Sequence, residues 1–228
     1  MLYKEQKMNK KKIVFLVSGN GGTLRFLFHA IRIFDLPFDI TMVIADRDCA
    51  ALQWAKNNQI ECKIVNYSKN EDKELVEVLE TVSADIIVTN IHKILTSRVL
   101  KSSSAEFVNL HYSLLPSFAG FIGMKTVEEA RKQNCQFLGA TCHEVTEKLD
   151  GGRILCQGVY TVDWCEPTEI IYDKVFRIAC LCLLNGIMKK YYTNSYKFQD
   201  EFGIFNPKCL FDTSLLDTNF WEKVKMLS

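Results

Sequence analysis

Short apolar runs alternate with helical patterns through the first half of this chain. Runs rich in β-branched and other apolar residues predict strands at residues 13–17, 41–45, 86–89 and 107–110. Apolar residues at helical spacing predict helices at residues 24–34, 50–57 and 72–82. In the first helix Leu24, Phe28 and Ile31 fall on one face, as expected for a helix that packs on a sheet.

Strands that alternate with helices indicate an α/β fold with an open, mostly parallel sheet and helices on both faces, a Rossmann-like arrangement. In such sheets, ligands bind at the carboxyl ends of the strands. The loops that follow the four predicted strands are therefore the places to look for chemistry.

The second half of the chain has a less regular pattern. Residues 154–162 predict a pair of strands, and a long helix is expected from Thr168 to about residue 192, with Pro167 and Thr168 forming its cap. We therefore expect an N-terminal extension at 1–11, one catalytic domain at 12–192, and a tail at 193–228. The tail is rich in Phe, Asp and Asn with weak periodicity, and its sequence assigns it no role.

Length and charge limit the class of protein. A chain of 228 residues suits one good-sized α/β domain. With 28 basic and 27 acidic residues the net charge is +1, which gives no broad electrostatic footprint for nucleic acid or for a membrane surface. The Lys-rich start meets an apolar run of only five residues, too short for a signal peptide core or a membrane span, so we expect a cytoplasmic protein.

The nine cysteines are scattered and show no Cys-x-x-Cys spacing. Such a set indicates reduced thiols rather than disulfides or a zinc site, so no metal is expected.

A glycine-rich segment follows the first predicted strand and precedes the first predicted helix. Glycines in this position leave backbone N–H groups free to face an anion, and the helix dipole reinforces their effect. The alternative is a tight strand-to-helix turn that holds no ligand. The candidate phosphate-binding residues are Ser18, Gly19, Asn20, Gly21, Gly22 and Thr23.

An amide, an imidazole and a carboxylate are the best clue to a reaction. Asn109 and His111 are two residues apart on a predicted strand, so both point the same way, and Asp150 precedes two glycines in a later loop. Donors of this kind suit an oxygen that becomes negative when an amine attacks a carbonyl, and a nearby Asp could move the amine proton. Alternatively, Asn109 and His111 could satisfy loop amides, and Asp150 could be an ordinary turn residue.

The surrounding motifs resemble the formyltransferase family that uses 10-formyltetrahydrofolate, and most closely its glycinamide ribonucleotide transformylase branch. Three blocks occur in the family's order over roughly residues 12–190: Ser-Gly-Asn-Gly-Gly-Thr-Leu at 18–24, Asn-Leu-His-Tyr-Ser-Leu-Leu-Pro at 109–116, and Leu-Asp-Gly-Gly at 149–152. The resemblance implies the family's formyltransferase fold. It also implies transfer of a formyl group from 10-formyltetrahydrofolate to a primary amine, without a metal.

The resemblance also implies roles for individual residues. Asn109 and His111 would stabilise the developing oxyanion, and Asp150 would accept the amine proton and pass it on. The glycine loop would hold the phosphate of the acceptor. The implied folate-binding residues are His92, Lys93, Ile94, Leu95, Thr141, His143, Glu144, Val145 and Asp150. His143 could orient Asp150 or could be a satisfied strand histidine. From the pattern alone, His92 and His29 are surface or packing residues.

Departures from the family pattern leave the acceptor open. Tyr112 replaces a Pro, Lys93 replaces an Arg, and Ala179 stands where the branch carries an acceptor-binding Glu. Glycinamide ribonucleotide is the first candidate acceptor, with Asp173 or Glu144 as substitute carboxylates. A nucleotide-linked amino sugar is the alternative, hydrolysis of formyltetrahydrofolate is a third possibility, and a non-catalytic folate- or nucleotide-binding module is a fourth. The expected partners are therefore small molecules, with no nucleic acid or membrane, and the protein is expected to be a monomer or homodimer.

Overall fold

A computed structural model describes residues 10–191, 204–206 and 209–225 of the chain. Most of the expected extension, residues 1–9, lies outside the described residues, as do parts of the tail at 192–203, 207–208 and 226–228.

Eight strands form one sheet in the order β3-β2-β1-β4-β5-β6-β7-β8. The strands are β1 (Lys11–Val17), β2 (Phe38–Ala45), β3 (Glu61–Ile64), β4 (Ile86–Asn90), β5 (Glu106–His111), β6 (Phe137–Glu144), β7 (Ile154–Thr161) and β8 (Ile204–Asn206). Strands β1 to β5 pair in parallel, and β6, β7 and β8 extend the sheet with antiparallel pairings. The predicted open, mostly parallel α/β sheet is confirmed.

Seven α-helices connect or follow these strands in the described residues. They are α1 (Gly22–Ile33), α2 (Ala50–Asn57), α3 (Lys73–Thr81), α4 (Ser97–Lys101), α5 (Lys125–Lys132), α6 (Thr168–Tyr191) and α7 (Thr218–Lys225). The three predicted early helices are confirmed within two residues at each end, and the long helix begins at Thr168 as predicted.

Alternate residues of the central strand β1 enter two different cores. Ile13, Phe15 and Val17 pack in a core with residues from α1, α2, α6 and α7. Val14 and Leu16 pack on the other face with residues of α3 and α4. Because successive side chains of a strand point to opposite faces, a run that is apolar throughout is covered by helices on both sides, as predicted.

The prediction of a strand pair within residues 154–162 was wrong. These residues form the single strand β7, which pairs with β6. The expected folate-binding residues Thr141 and His143 lie inside β6. The alternating apolar and polar residues of this region belong to β6 and β7, which pair in antiparallel fashion. The local sequence pattern did not show where one strand ends and the other begins.

The described part of the tail packs on the domain. Phe220, Trp221 and Val224 of α7 are buried in the same core as α1. The rings of Phe26 and Trp221 are stacked with centroids 5.5 Å apart. Helix α7 therefore lies directly against the helix that follows the glycine loop.

Candidate active site

A cavity of about 570 Å³ opens at the carboxyl ends of β1, β4 and β5. The sheet order reverses between β1 and β4, so the chain leaves these two strands in opposite directions and opens a crevice there. Its size is that of a small-molecule site. The walls come from the glycine loop, the segment 91–95, the end of β5, and the loops at 120–123 and 145–150.

Three of the four polar side chains at the centre of the cavity come from the β5–β6 pair. Asn109 and His111 are two apart on β5, and Asn109 lies opposite His143 in the antiparallel register with β6. Residues opposite each other in an antiparallel pair point to the same face, so this register brings Asn109 and His143 together. Asp150 follows β6 with a φ of 49°, and its Oδ2 accepts a hydrogen bond of 2.7 Å from the Gly120 N–H. All four residues line the cavity.

Backbone carbonyls determine which nitrogen of each histidine carries a proton. His111 Nε2 is 3.0 Å from the Phe118 carbonyl oxygen, and His143 Nδ1 is 2.8 Å from that of Glu144. Because a carbonyl oxygen only accepts, both of these nitrogens must donate. In the neutral rings the remaining nitrogens, His111 Nδ1 and His143 Nε2, therefore present lone pairs.

Both lone pairs face the same carboxylate. His111 Nδ1 lies 3.5 Å from Asp150 Oδ2, and His143 Nε2 lies 3.7 Å from Asp150 Oδ1. Among the described residues, His143 Nε2 is a buried atom without a hydrogen-bond partner. Acceptors facing acceptors repel, so the contact becomes attractive only when the three residues share a proton. This arrangement is suited to holding a proton and passing it on.

Burial changes the pKa of His143. Burial lowers the pKa of His143, although the Glu144 carbonyl and the Asp150 carboxylate act in the opposite direction. A neutral His143 presents its Nε2 lone pair to Asp150, so the two side chains attract each other only when a proton lies between them. The position of the ring beside Asp150 is consistent with the first of the two alternatives for His143, a partner of that carboxylate.

The glycine loop turns the chain from β1 into α1 by backbone geometry. Gly21 has a φ of 70° and caps α1 without a side-chain hydrogen bond. A Cβ at Gly21 would lie only 2.6 Å from the Ala51 Cβ, so the position also requires a glycine for space. The first N–H groups of α1 have no partner within the helix and line this end of the cavity.

The expected phosphate-binding residues are not equivalent in the structure. Gly19, Asn20, Gly21, Gly22 and Thr23 line the cavity, whereas Ser18 does not. The Ser18 Oγ instead accepts the His92 N–H at 2.9 Å, which ties the glycine loop to the segment 91–95. The Thr23 hydroxyl accepts a hydrogen bond from the Asn90 amide.

The segment 91–95 lines the cavity and is anchored from behind. The Tyr67 hydroxyl donates to the Ile94 carbonyl oxygen at 2.7 Å, and Lys93 Nζ lies 3.1 Å from Asp46 Oδ2. Burial by itself raises the pKa of Asp46, but hydrogen bonds from Arg47, Ser18 and Lys93 outweigh it and hold that pKa well below its usual range. His92, Lys93, Ile94 and Leu95 all contribute to the cavity wall.

Two expected folate-binding residues do not line the cavity. Thr141 is fully buried, and its hydroxyl donates to the Ser113 carbonyl oxygen and accepts the Leu115 N–H. Glu144 pairs with Arg153 at 2.7 Å and with Lys190 at 3.0 Å. Thr141 supports the loop after β5, and Glu144 ties β6 to β7 and α6. His143, Val145 and Asp150 do line the cavity.

Two of the three departures from the family pattern change the wall of the cavity. Tyr112 lines it, and burial raises the pKa of its hydroxyl well above the usual value. Lys93 is held by Asp46, whereas Ala179 is fully buried in the core of α6. Neither substitute carboxylate, Asp173 or Glu144, lines the cavity.

Sequence reasoning did not single out several residues that do line the cavity. These are Arg25, Gly120, Phe121, Ile122, Phe176, Val224 and Lys225. Phe176 lies on the glycine loop, since a Cβ at Gly22 would meet its ring at 2.8 Å. Of the two histidines read as surface or packing residues, His92 lines the cavity, and His29 packs against the rings of Phe28, Trp54 and Phe220.

Within the described ranges, no group of three or more His, Cys, Asp or Glu residues is placed to hold a metal ion. No helix in the described part of the chain has the length and apolar character to cross a membrane.

An open α/β sheet with an amide, two imidazoles and a carboxylate at its switch point defines an enzyme-like site of the group-transfer type. A family model described as formyl transferase matches residues 11–182. Phosphoribosylglycinamide formyltransferase of Haemophilus influenzae is 34% identical over 70% of this chain and 78% of the relative. The chain belongs to the formyl transferase family.

Other similar proteins include a second phosphoribosylglycinamide formyltransferase, a formyltetrahydrofolate deformylase and a solved structure. The chloroplastic phosphoribosylglycinamide formyltransferase of Vigna unguiculata is 30% identical over 68% of this chain, which spans only 53% of that relative. Formyltetrahydrofolate deformylase 1, mitochondrial, of Arabidopsis thaliana is 30% identical over 78% of this chain and 55% of the relative. A solved phosphoribosylglycinamide formyltransferase from Coxiella burnetii shares the fold with a TM-score of 0.70 at 24% identity, covering 81% of this chain and 91% of that one.

Proposed function

We propose that this protein transfers the formyl group of 10-formyltetrahydrofolate to the primary amine of a small phosphorylated acceptor, with glycinamide ribonucleotide as the first candidate. One observation carries the proposal. Asn109, His111 and Asp150 line the same cavity as the glycine loop, so donors, a proton acceptor and an anion site face one another. Relatives named phosphoribosylglycinamide formyltransferase support this acceptor.

Asp150 is the residue placed to move a proton. When the amine attacks the formyl carbon, the amine must lose a proton, and the departing folate nitrogen must gain one. The Asp150 carboxylate accepts the first proton and returns it, directly or through water, while the Gly120 N–H keeps the carboxylate oriented and the His143 ring lies beside it. General acid–base catalysis of this kind contributes about 10²–10⁴-fold in rate.

Asn109 and His111 face the oxygen that becomes negative during the attack. Asn109 supplies an amide N–H, and His111 supplies a donor when its Nδ1 is protonated. A positioned donor to such an oxygen contributes about 10²–10³-fold. His111 Nδ1 lies 3.5 Å from Asp150 Oδ2, which places the donor and the proton acceptor side by side.

The folate is proposed to lie between the segments 91–95 and 143–150. Both segments line the cavity, and Ile94 and Leu149 expose 55% and 51% of their surface beside it. These apolar side chains suit the aromatic part of a folate, and backbone N–H and C=O groups suit the edge of a pterin. Among the described residues the buried His143 Nε2 has no hydrogen-bond partner, which supports a polar contact with a ligand at this wall.

The acceptor's phosphate is proposed to bind at the glycine loop. Unpaired N–H groups at the start of α1 and the positive end of its dipole favour an anion there. Ser18 takes part indirectly, because it links this loop to the folate segment through the His92 N–H.

Product identification with matched acceptors tests the proposal. The enzyme is incubated with 10-formyltetrahydrofolate and either glycinamide ribonucleotide, a nucleotide-linked amino sugar or water alone, and formylated products and formate are quantified by mass spectrometry. The formylated ribonucleotide is expected. Formate produced at the same rate with and without an amine would show hydrolysis instead.

Hydrolysis is the second candidate because of two observations. The chain is 30% identical to a formyltetrahydrofolate deformylase, and no carboxylate other than Glu147 and Asp150 lines the described cavity. With Asp150 assigned to proton transfer, only Glu147 among these carboxylates is left to bind a ribose, so a ribonucleotide would be held less tightly. If formate is released without an acceptor faster than a formyl group is transferred to any of the amines, the reaction is hydrolysis.

We also propose that the reaction takes place in the cytoplasm, because the scattered cysteines indicate reduced thiols. We propose further that the protein acts as a monomer or homodimer. Cell fractionation and light scattering test these two proposals.

A further inference from the structure

The end of the cavity nearest the glycine loop is closed by helix α7, which lies outside the matched family region. Val224 and Lys225, in the last turn of α7, line the cavity together with Arg25 of α1 and Phe176 of α6. The family match ends at residue 182, so α7 lies beyond the matched region. One wall of the cavity therefore comes from a segment that the family match does not cover.

Arg25 places a buried positive charge in this wall. The residue is only 4% exposed, its Nε donates to the Val224 carbonyl oxygen at 2.6 Å, and its Nη1 donates to the Asn20 carbonyl oxygen at 2.6 Å. Within the described residues no carboxylate contacts its guanidinium, and burial lowers its pKa. A buried guanidinium balanced only by carbonyl dipoles leaves unsatisfied charge, which an anion in the cavity would neutralise.

Lys225 adds a second cation at the same end. Its Nζ is 2.6 Å from Asp173 Oδ1, while Oδ2 of the same carboxylate accepts a hydrogen bond of 2.8 Å from Arg177. The contact with Asp173 therefore holds the Lys225 side chain beside the cavity. The Lys225 side chain is 47% exposed, so it can reach a ligand without losing its place on the helix.

We propose that Arg25 and Lys225 are specificity-determining residues that bind the acceptor's phosphate beside the glycine loop, which makes α7 part of the acceptor site. The inference rests on the proposed function in taking the acceptor to be a phosphate ester. Since the carboxylate expected at Ala179 is missing, this end of the cavity recognises the anion of the acceptor rather than its hydroxyl groups.

A matched pair of lysine variants on the same helix tests the inference. Lys225→Gln removes the cation beside the cavity, whereas Lys223→Gln removes an exposed cation of the same helix that does not line it. Calorimetry with the full chain measures binding of inorganic phosphate and ribose 5-phosphate. Lys225→Gln is expected to weaken both about five- to tenfold, in the range of a partly exposed charge-assisted contact, and Lys223→Gln less than twofold.

The outcomes separate the inference from the proposed reaction. Equal affinities for the two variants, or no phosphate binding by the wild type, would overturn the inference. Formyl transfer to glycinamide ribonucleotide with the same acceptor KM in both variants would also overturn it and leave the reaction standing. If Lys225→Gln alone binds phosphate more weakly while the wild type transfers no formyl group, the phosphate site is supported and the proposed formyl transfer is rejected. A rise in acceptor KM for Lys225→Gln without a change in kcat or folate KM is the expected kinetic result.

Discussion

Replacing Asp150 with Asn separates the catalytic and structural roles of the carboxylate. The Asn side chain has the same shape, so its oxygen can keep the 2.7 Å hydrogen bond from the Gly120 N–H. Its amide nitrogen then takes the place of Oδ1, 3.7 Å from the unpartnered His143 Nε2. An amide donor facing that lone pair replaces a repulsive contact by an attractive one.

The expected result is a folded enzyme with little activity. Because an amide cannot accept and return the amine proton, kcat should fall by about 10²-fold or more. The unfolding free energy should stay the same or rise by about 1 kcal/mol, the typical contribution of one hydrogen bond. The KM for folate should change little, since the backbone that faces the folate is not altered.

Two assays on the same preparation decide the matter. Steady-state kinetics with 10-formyltetrahydrofolate and glycinamide ribonucleotide give kcat and both KM values, and urea denaturation gives the unfolding free energy. Unchanged turnover in Asp150→Asn would remove Asp150 from the mechanism. Loss of the fold would show that the carboxylate is a structural turn residue.

Four other substitutions test separate parts of the account. Asn109→Ala and His111→Ala should each lower kcat by about 10²-fold with little change in folate KM, because they act on the developing oxyanion; loss of folate binding in both would favour a structural role. Gly21→Ala should destabilise the protein by about 1–3 kcal/mol, as measured by denaturation, since φ is 70° and the new Cβ would lie 2.6 Å from that of Ala51. Burial lowers the pKa of His143, so the unfolded chain binds more protons between the folded-state pKa and about 6.5. Stability should therefore be full above about pH 6.5 and should decrease as the pH falls through the folded-state pKa. Urea titrations should show a shallower decrease in His143→Gln than in the wild type, and equal slopes would contradict the argument.

The central sheet was predictable because its strands are buried on both faces. Strands β1, β2, β4 and β5 each contain a short run of mostly apolar residues, which local sequence identifies well. Strand β3 was missed because its four residues, Glu61–Ile64, are mostly exposed and carry no such run. The boundary between β6 and β7 was missed because pairing between distant residues, rather than local pattern, determines where these strands lie.

Part of the candidate site could likewise be predicted from the sequence, and part of it could not. Asn109, His111 and Asp150 were identified from motifs, and the structure brings them into one cavity. Helix α7 contributes Lys225 to that cavity but has weak periodicity in sequence, and its position depends on the packing of Phe220 and Trp221 against α1. Thr141 and Glu144 belong to the same sequence block as His143, but their partners on other elements hold them away from the cavity.

Tracing the formyl carbon tests the central claim most directly. 10-Formyltetrahydrofolate labelled with carbon-13 in the formyl group is mixed with glycinamide ribonucleotide and enzyme, and the label is followed by NMR. The account predicts that the label enters a formamide on the acceptor amine, with one tetrahydrofolate formed for each formamide. Label that appears as free formate, or that stays on the folate while wild-type enzyme and both substrates are present, would contradict it.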